Sequence, residues 1–184
     1  MVKNYAEVMF TKSVQAAQDH YGTRAAADRM AESDDRRGIL TDREVEFIAQ
    51  RDGFYMASVN EDGWPYVQFR GGPAGFLKAL DEKTLGYADF RGNQQYISVG
   101  NLAQEDRVSL FFMDYANRKR LKMVARARVV DADDDPELVA RVEDPDYRAR
   151  IERAIVFDVV AFDWNCPQHI TQRYTEAEWN SRPE

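Results

Sequence analysis

Apolar and polar positions divide the chain into a helical stretch, a strand-rich stretch and a short tail. Residues 11 to 51 carry apolar side chains at helical spacing. Thr11 or Ser13 can cap a first helix through Val14, Ala16, Ala17 and Tyr21; Gly22 interrupts it, and Thr23 to Glu32 continues as a second. After the polar loop SDDRRG, Thr41 and Glu44 form a capping box ahead of Val45, Phe47 and Ile48, and that helix is expected to end near Asp52 and Gly53. From Phe54 the period changes to two. FYMASVN alternates, EDG is a turn, and WPYVQFR follows with Tyr66, Gln68 and Arg70 on one face and Val67 and Phe69 on the other. Leu85 to Phe90 reads as a strand, and Asn93 to Asn101 as a short helix. RVSLFFMDY, LKMVARARVVD and AIVFDVVAFDWN complete the strands, with a helix or two between Asp133 and Arg153. Thr175 and Glu178 can cap a tail helix.

Helices, then antiparallel strands with a helix inserted, predict an α+β protein built on a small β-barrel. The expected division is residues 1–52 as a helical segment packed on the barrel, 53–170 as the barrel, and 171–184 as a tail.

Composition narrows the function classes. The 184 residues carry 32 acids against 25 bases, a formal net charge of −7. That balance repels phosphates on average and argues against a general nucleic-acid binder. Cys166 is the single cysteine, so no intrachain disulfide can form and a reducing compartment is the simplest expectation. The first 22 residues lack an apolar run long enough for a signal peptide or a membrane span, so a cytoplasmic protein is expected. The two histidines, His20 and His169, are far apart in sequence, and no multi-histidine metal site is expected.

Two Arg-Gly steps carry the candidate chemistry. Arg70 shares a strand face with Tyr66 and Gln68, and Gly71-Gly72 permits a close backbone approach. One reading aims Arg70 at a phosphate; the other makes it an ordinary ion pair on a solvated strand. The second step, ADFRGNQQYIS, places Gly92 and Asn93 where a helix is expected to begin, so free N–H groups would favour an anion beside Arg91 and Gln94. The alternative there is that Asn93 caps the helix and Arg91 faces water. NRKRLK, from Asn117 to Lys122, is a basic cluster at a strand entrance. DWNCPQHI, from Asp163 to Ile170, offers Trp164 and His169 to a flat ring. No Walker, Rossmann or serine-elbow spacing is present.

Together, GWPYVQFRGGPAGF, ADFRGNQQYISVGNL, MDYANRKRLKMVARARV and DWNCPQHI resemble the pyridoxamine 5′-phosphate oxidase-like family of FMN-binding proteins, over about residues 40 to 170. The resemblance implies a six-stranded antiparallel Greek-key split β-barrel with N-terminal and peripheral helices. It implies a homodimer with FMN at the interface, and hydride transfer through the flavin N5 from a small-molecule substrate or NAD(P)H. It places Gln68, Arg70 and Gly71 on the strand that contacts flavin ring and phosphate. Arg91, Gly92, Asn93 and Gln94 fall on the phosphate turn. Arg120 falls where a partner-subunit side chain approaches the ring, and Trp164, Gln168 and His169 fall near the cofactor edge or the dimer partner. The oxidase's serine-arginine-lysine run is replaced here by RGNQ. The tail offers only Arg173 and Arg182 to a substrate, so the resemblance extends to the cofactor and not to pyridoxamine phosphate. A non-catalytic FMN carrier or redox sensor, and a deazaflavin- or haem-binding relative, are the alternatives on the same fold.

Overall fold

The computed structural model describes residues 4–33 and 38–181. Most of the polar loop expected at residues 33 to 38 lies outside them, as does Arg182.

Among the described residues, four helices precede the first strand: α1 (Tyr5–Met9), α2 (Lys12–His20), α3 (Arg24–Ala31) and α4 (Asp42–Ala49). Thr11 caps α2, and the Thr41–Glu44 capping box closes the start of α4, as the pattern predicts. The unanticipated α1 has its own capping box, Asn4 with Glu7. The Asn4 amide also donates to the carbonyls of Met30 and Ala31, at 3.3 and 2.8 Å, which ties α1 to the end of α3. Asn4 thereby satisfies carbonyls that the end of a helix leaves free.

Seven strands form one antiparallel sheet: β1 (Gly53–Val59), β2 (Pro65–Gly71), β3 (Lys78–Ala79), β4 (Thr84–Phe90), β5 (Arg107–Asp114), β6 (Lys119–Asp131) and β7 (Ile151–Trp164). The order is β2-β1-β5-β6-β7-β4-β3. Six of these match the expected strands; the extra one, β3, has two residues and only two pairs with β4. α5 (Ile97–Gln104) lies between β4 and β5, α6 (Pro136–Val142) between β6 and β7, and α7 (Glu176–Asn180) in the tail.

On β6, Leu121, Met123, Ala125 and Ala127 point inward and are all buried, as their alternation predicts. They join an aromatic centre in which Phe54 packs against Phe76, Tyr87, Phe112 and Phe157. A smaller cluster, Leu138 and Val142 of α6 with Ala88, Ala154 and Val156, covers the other face of β4 and β7. β4 is therefore buried on both sides. No helix among the described residues is long and apolar enough to cross a membrane.

Candidate functional site

The sheet is open in its hydrogen bonding, since β2 and β3 lie at its two ends. It nevertheless curls far enough for β2 to meet β4 through side chains. Arg70 Nη1 of β2 lies 3.1 Å from Asp89 Oδ1 of β4. The other Asp89 oxygen accepts from Arg153 Nη1 of β7, also at 3.1 Å. Arg153 Nη2 donates to Glu152 at 2.9 Å, and the Arg153 guanidinium lies 5.0 Å from the Tyr96 ring centre. The Tyr96 hydroxyl approaches Glu152 at 3.3 Å, and Arg91 Nε stands 3.8 Å from the same carboxylate. Three guanidinium groups thus share Asp89 and Glu152 at the seam, and the exposed Asp131 stands 3.9 Å from Arg153 Nε.

Desolvation dominates the electrostatics. Asp89 is buried, and burial pushes its carboxyl above the usual range against the pull of Arg70 and Arg153. Burial likewise pushes the Tyr87 hydroxyl well above its ordinary value, and Asp89 adds to the rise. Arg70 Nε, Arg153 Nε and the Tyr87 hydroxyl are buried with no hydrogen-bond partner among the described residues. Buried polar groups are ordinarily paired, so orphan donors gathered at one place call for an explanation.

A cleft of about 60 Å³ opens above this cluster. Gln68, Arg70, Gly92, Asn93 and Gln94 line it, so five of the residues singled out in the sequence converge here. Gln68 accepts from the Ser98 hydroxyl at 3.2 Å and from Tyr66 at 3.4 Å. With its oxygen facing the guanidinium, the Gln94 amide lies 2.7 Å from both Arg91 Nε and Nη2, which fastens Arg91 to the rim.

The helix start differs from expectation. α5 begins at Ile97, not at Asn93, because Gln94 and Tyr96 adopt the left-handed conformation, with φ of 61° and 52°. Residues 91–96 form a loop, and Asn93 turns its side chain to the Gln95 N–H at 3.1 Å instead of capping a helix. Tyr96 occupies the N-cap without a side-chain hydrogen bond, so the first amides of α5 have no side-chain cap, and Ile97 to Val99 line the cleft. The helix end is present, four residues later than predicted. Gly92 meets no atom within 4 Å where a Cβ would stand, so its backbone is open to close approach.

Gly71 is placed otherwise. It pairs with Gly53 across β1 and β2, and a Cβ at either would collide with the Phe69 ring. Arg120, Trp164, Gln168 and His169 lie away from the seam. Trp164 sits eleven residues along β7 from Arg153, roughly 35 Å at strand rise. Its Nε1 donates to Glu44 at 2.7 Å, its ring meets Phe47 edge-on at 4.7 Å, and Arg43 lies over its face at 4.4 Å. Arg120 has a buried Nε with no partner among the described residues. Gln168 and His169 are exposed, the latter at φ 64°. Cys166 is exposed too.

Residues 40–162 match the family model described as pyridoxamine 5′-phosphate oxidase. The chain belongs to this family. Two solved structures show the same fold. HupZ from Group A Streptococcus superposes with a TM-score of 0.54 at 15% identity, covering 73% of this chain and 100% of its own. An FMN-binding protein from Syntrophomonas wolfei gives 0.51 at 14% identity, covering 68% and 88%. No curated protein matches the sequence. The family match starts at residue 40, so α1 to α3 lie outside it.

Asp89, Glu152, Arg153, Tyr96 and Ser98 complete the site and were not singled out in the sequence. A carboxylate inside the apolar strand LGYADF is a signal that points to Asp89. Arg153 has none: it stands 64 residues from Asp89 within a generally charged run.

Proposed function

We propose that this protein binds FMN at the seam and acts as an FMN-dependent oxidoreductase. The observation that carries the reading is Arg70: a largely buried guanidinium with a buried, orphan Nε, lining a cleft that the uncapped start of α5 also lines. A phosphate dianion supplies acceptors to both. The cleft is of the order of one phosphate group and far too small for a flavin, so the ring lies outside it, along Gln68 and the β2 face. When bound, FMN supplies hydride chemistry at N5. The chain's own task is to hold the phosphate through Arg70 and the α5 amides, and to present the Gln68 amide to the ring edge.

We further propose a homodimer, with the open sheet acting as a split Greek-key barrel. Val67, Phe69 and Tyr55 form an exposed apolar face on β1 and β2, beside the exposed Trp64. A second copy seated there covers that face and, reaching round the β2 edge to the Gln68 side, brings its own Arg120, with Trp164, Gln168 and His169, toward the ring. Phe69→Glu is expected to give a monomer by light scattering; an unchanged dimer removes this face from the interface.

Cofactor identity is tested by the spectrum and mass of the copurifying ligand and by FMN titration of the apoprotein. No flavin spectrum and no saturable FMN binding overturns the reading; deazaflavin or haem in the mass spectrum replaces it. The non-catalytic carrier remains the second reading, because the tail arginine Arg173 packs over the Tyr115 ring at 5.1 Å. Flavin reduction by NADH or NADPH followed by turnover with an acceptor rejects it.

A further inference from the structure

Away from the seam, a cavity of about 710 Å³ lies between α1 and the β5–β6–β7 face. Val8 and Met9 of α1 form its roof, and Val124 and Val160 form its wall. Val160 is the residue that β7 leaves out of register opposite Val124 and Ala125, so a β-bulge shapes the wall. The floor reaches the main core at Val108 and Val159. The roof is held independently of any filling, because Asn4 ties α1 to the end of α3. The trough is open to solvent, so its aliphatic walls face water unless a ligand covers them.

The mouth is cationic. Lys83, Arg107 and Arg126 stand on it. Arg107 is matched by Glu105 at 2.5 and 2.7 Å, and Arg126 by Asp106 at 2.7 and 2.8 Å. Lys83 has no carboxylate partner among the described residues. Lys83 is thus the mouth's cation without an ion pair, at the edge of an aliphatic trough.

We propose that this cavity binds a monocarboxylate with an unbranched apolar chain, of the medium-chain fatty acid class. The chain lies between α1 and the Val124–Val160 wall, and the carboxylate meets Lys83. A dianion is mismatched to the single free charge, and a neutral alkane leaves that charge unanswered. The roof lies outside the matched family region, while the mouth and the wall lie within it.

The test is calorimetric titration of the full chain with dodecanoate below its micelle concentration, with dodecanol as the neutral control. One dodecanoate per chain is expected, with dodecanol about tenfold weaker or more. Lys83→Glu, an exposed position, is expected to weaken dodecanoate about tenfold, and Val124→Trp to abolish binding by filling the trough. Absent or non-saturable binding to the wild-type chain overturns the proposal. So does equal affinity in Lys83→Glu, which decides the matter if Val124→Trp melts early. FMN titration of the same variants is expected to be unchanged, so the flavin reading stands or falls separately.

Discussion

The two ends of β7 hold similar side chains in opposite circumstances. At the seam end, Arg70, Arg91 and Arg153 share Asp89 and Glu152 and still have buried donors left over. At the far end, Trp164 gives its one donor to Glu44 and has each ring surface occupied by Phe47 or Arg43. Residue type does not separate a ligand-facing group from a structural brace; the count of unanswered donors does. Arg120 is the exception at the far end, and its orphan Nε is what a second copy would carry to the seam.

The largest test of this contrast is Arg153→Ala. Removing one member of a buried charge cluster leaves Asp89 underpaired, so unfolding free energy is expected to fall by about 3 kcal/mol in urea titrations. A loss well under 1 kcal/mol would show that the cluster is solvated and the contrast is false. Next comes Arg70→Ala, expected to weaken FMN by about 1.5–3 kcal/mol in fluorescence titration. Arg91→Ala should cost less, about 1 kcal/mol, because the Arg91 side chain is 45% exposed and held by Gln94. The reverse order would move the phosphate from the cleft to the loop.

Trp164→Phe keeps a ring and deletes only the N–H donated to Glu44. Stability should fall by about 1 kcal/mol while FMN affinity holds; a change in affinity would mean that the indole nitrogen serves the cofactor as well. The smallest effect belongs to a pair outside both ends. The Arg107 hydrogen bond lowers the Glu105 carboxyl from 4.5 to about 2. Its stabilisation is therefore complete above about pH 4.5 and lost as pH falls through about 2, since the unfolded chain takes up the proton first. Glu105→Gln should flatten the acid limb of thermal stability there, and nowhere else.

Local signals were legible in the sequence and distant ones were not. The Thr41–Glu44 box and the β6 alternation depend on near neighbours, and both stand as read. The start of α5 was misplaced because nothing in RGNQQY forces Gln94 and Tyr96 into left-handed turns; only the surrounding packing does. β3 escaped notice because two residues carry no period. The Arg70–Asp89–Arg153 cluster joins positions 19 and 64 apart, and the Glu44–Trp164 bond spans 120, so only the folded chain brings them together.

Phe69 lies flat over the paired glycines 53 and 71. Those three positions therefore form a single unit of mutational change. While the middle one is aromatic, a methyl group at either companion displaces the ring, and because that ring is exposed it can swing away, so the aromatic favours glycine at both positions without requiring it. A library randomised at 53 and 71 alone should be enriched in glycine at both. The same library with position 69 opened to alanine or serine should admit other residues. Changes on this face are thus coupled, with 53 and 71 freer to vary once 69 is small.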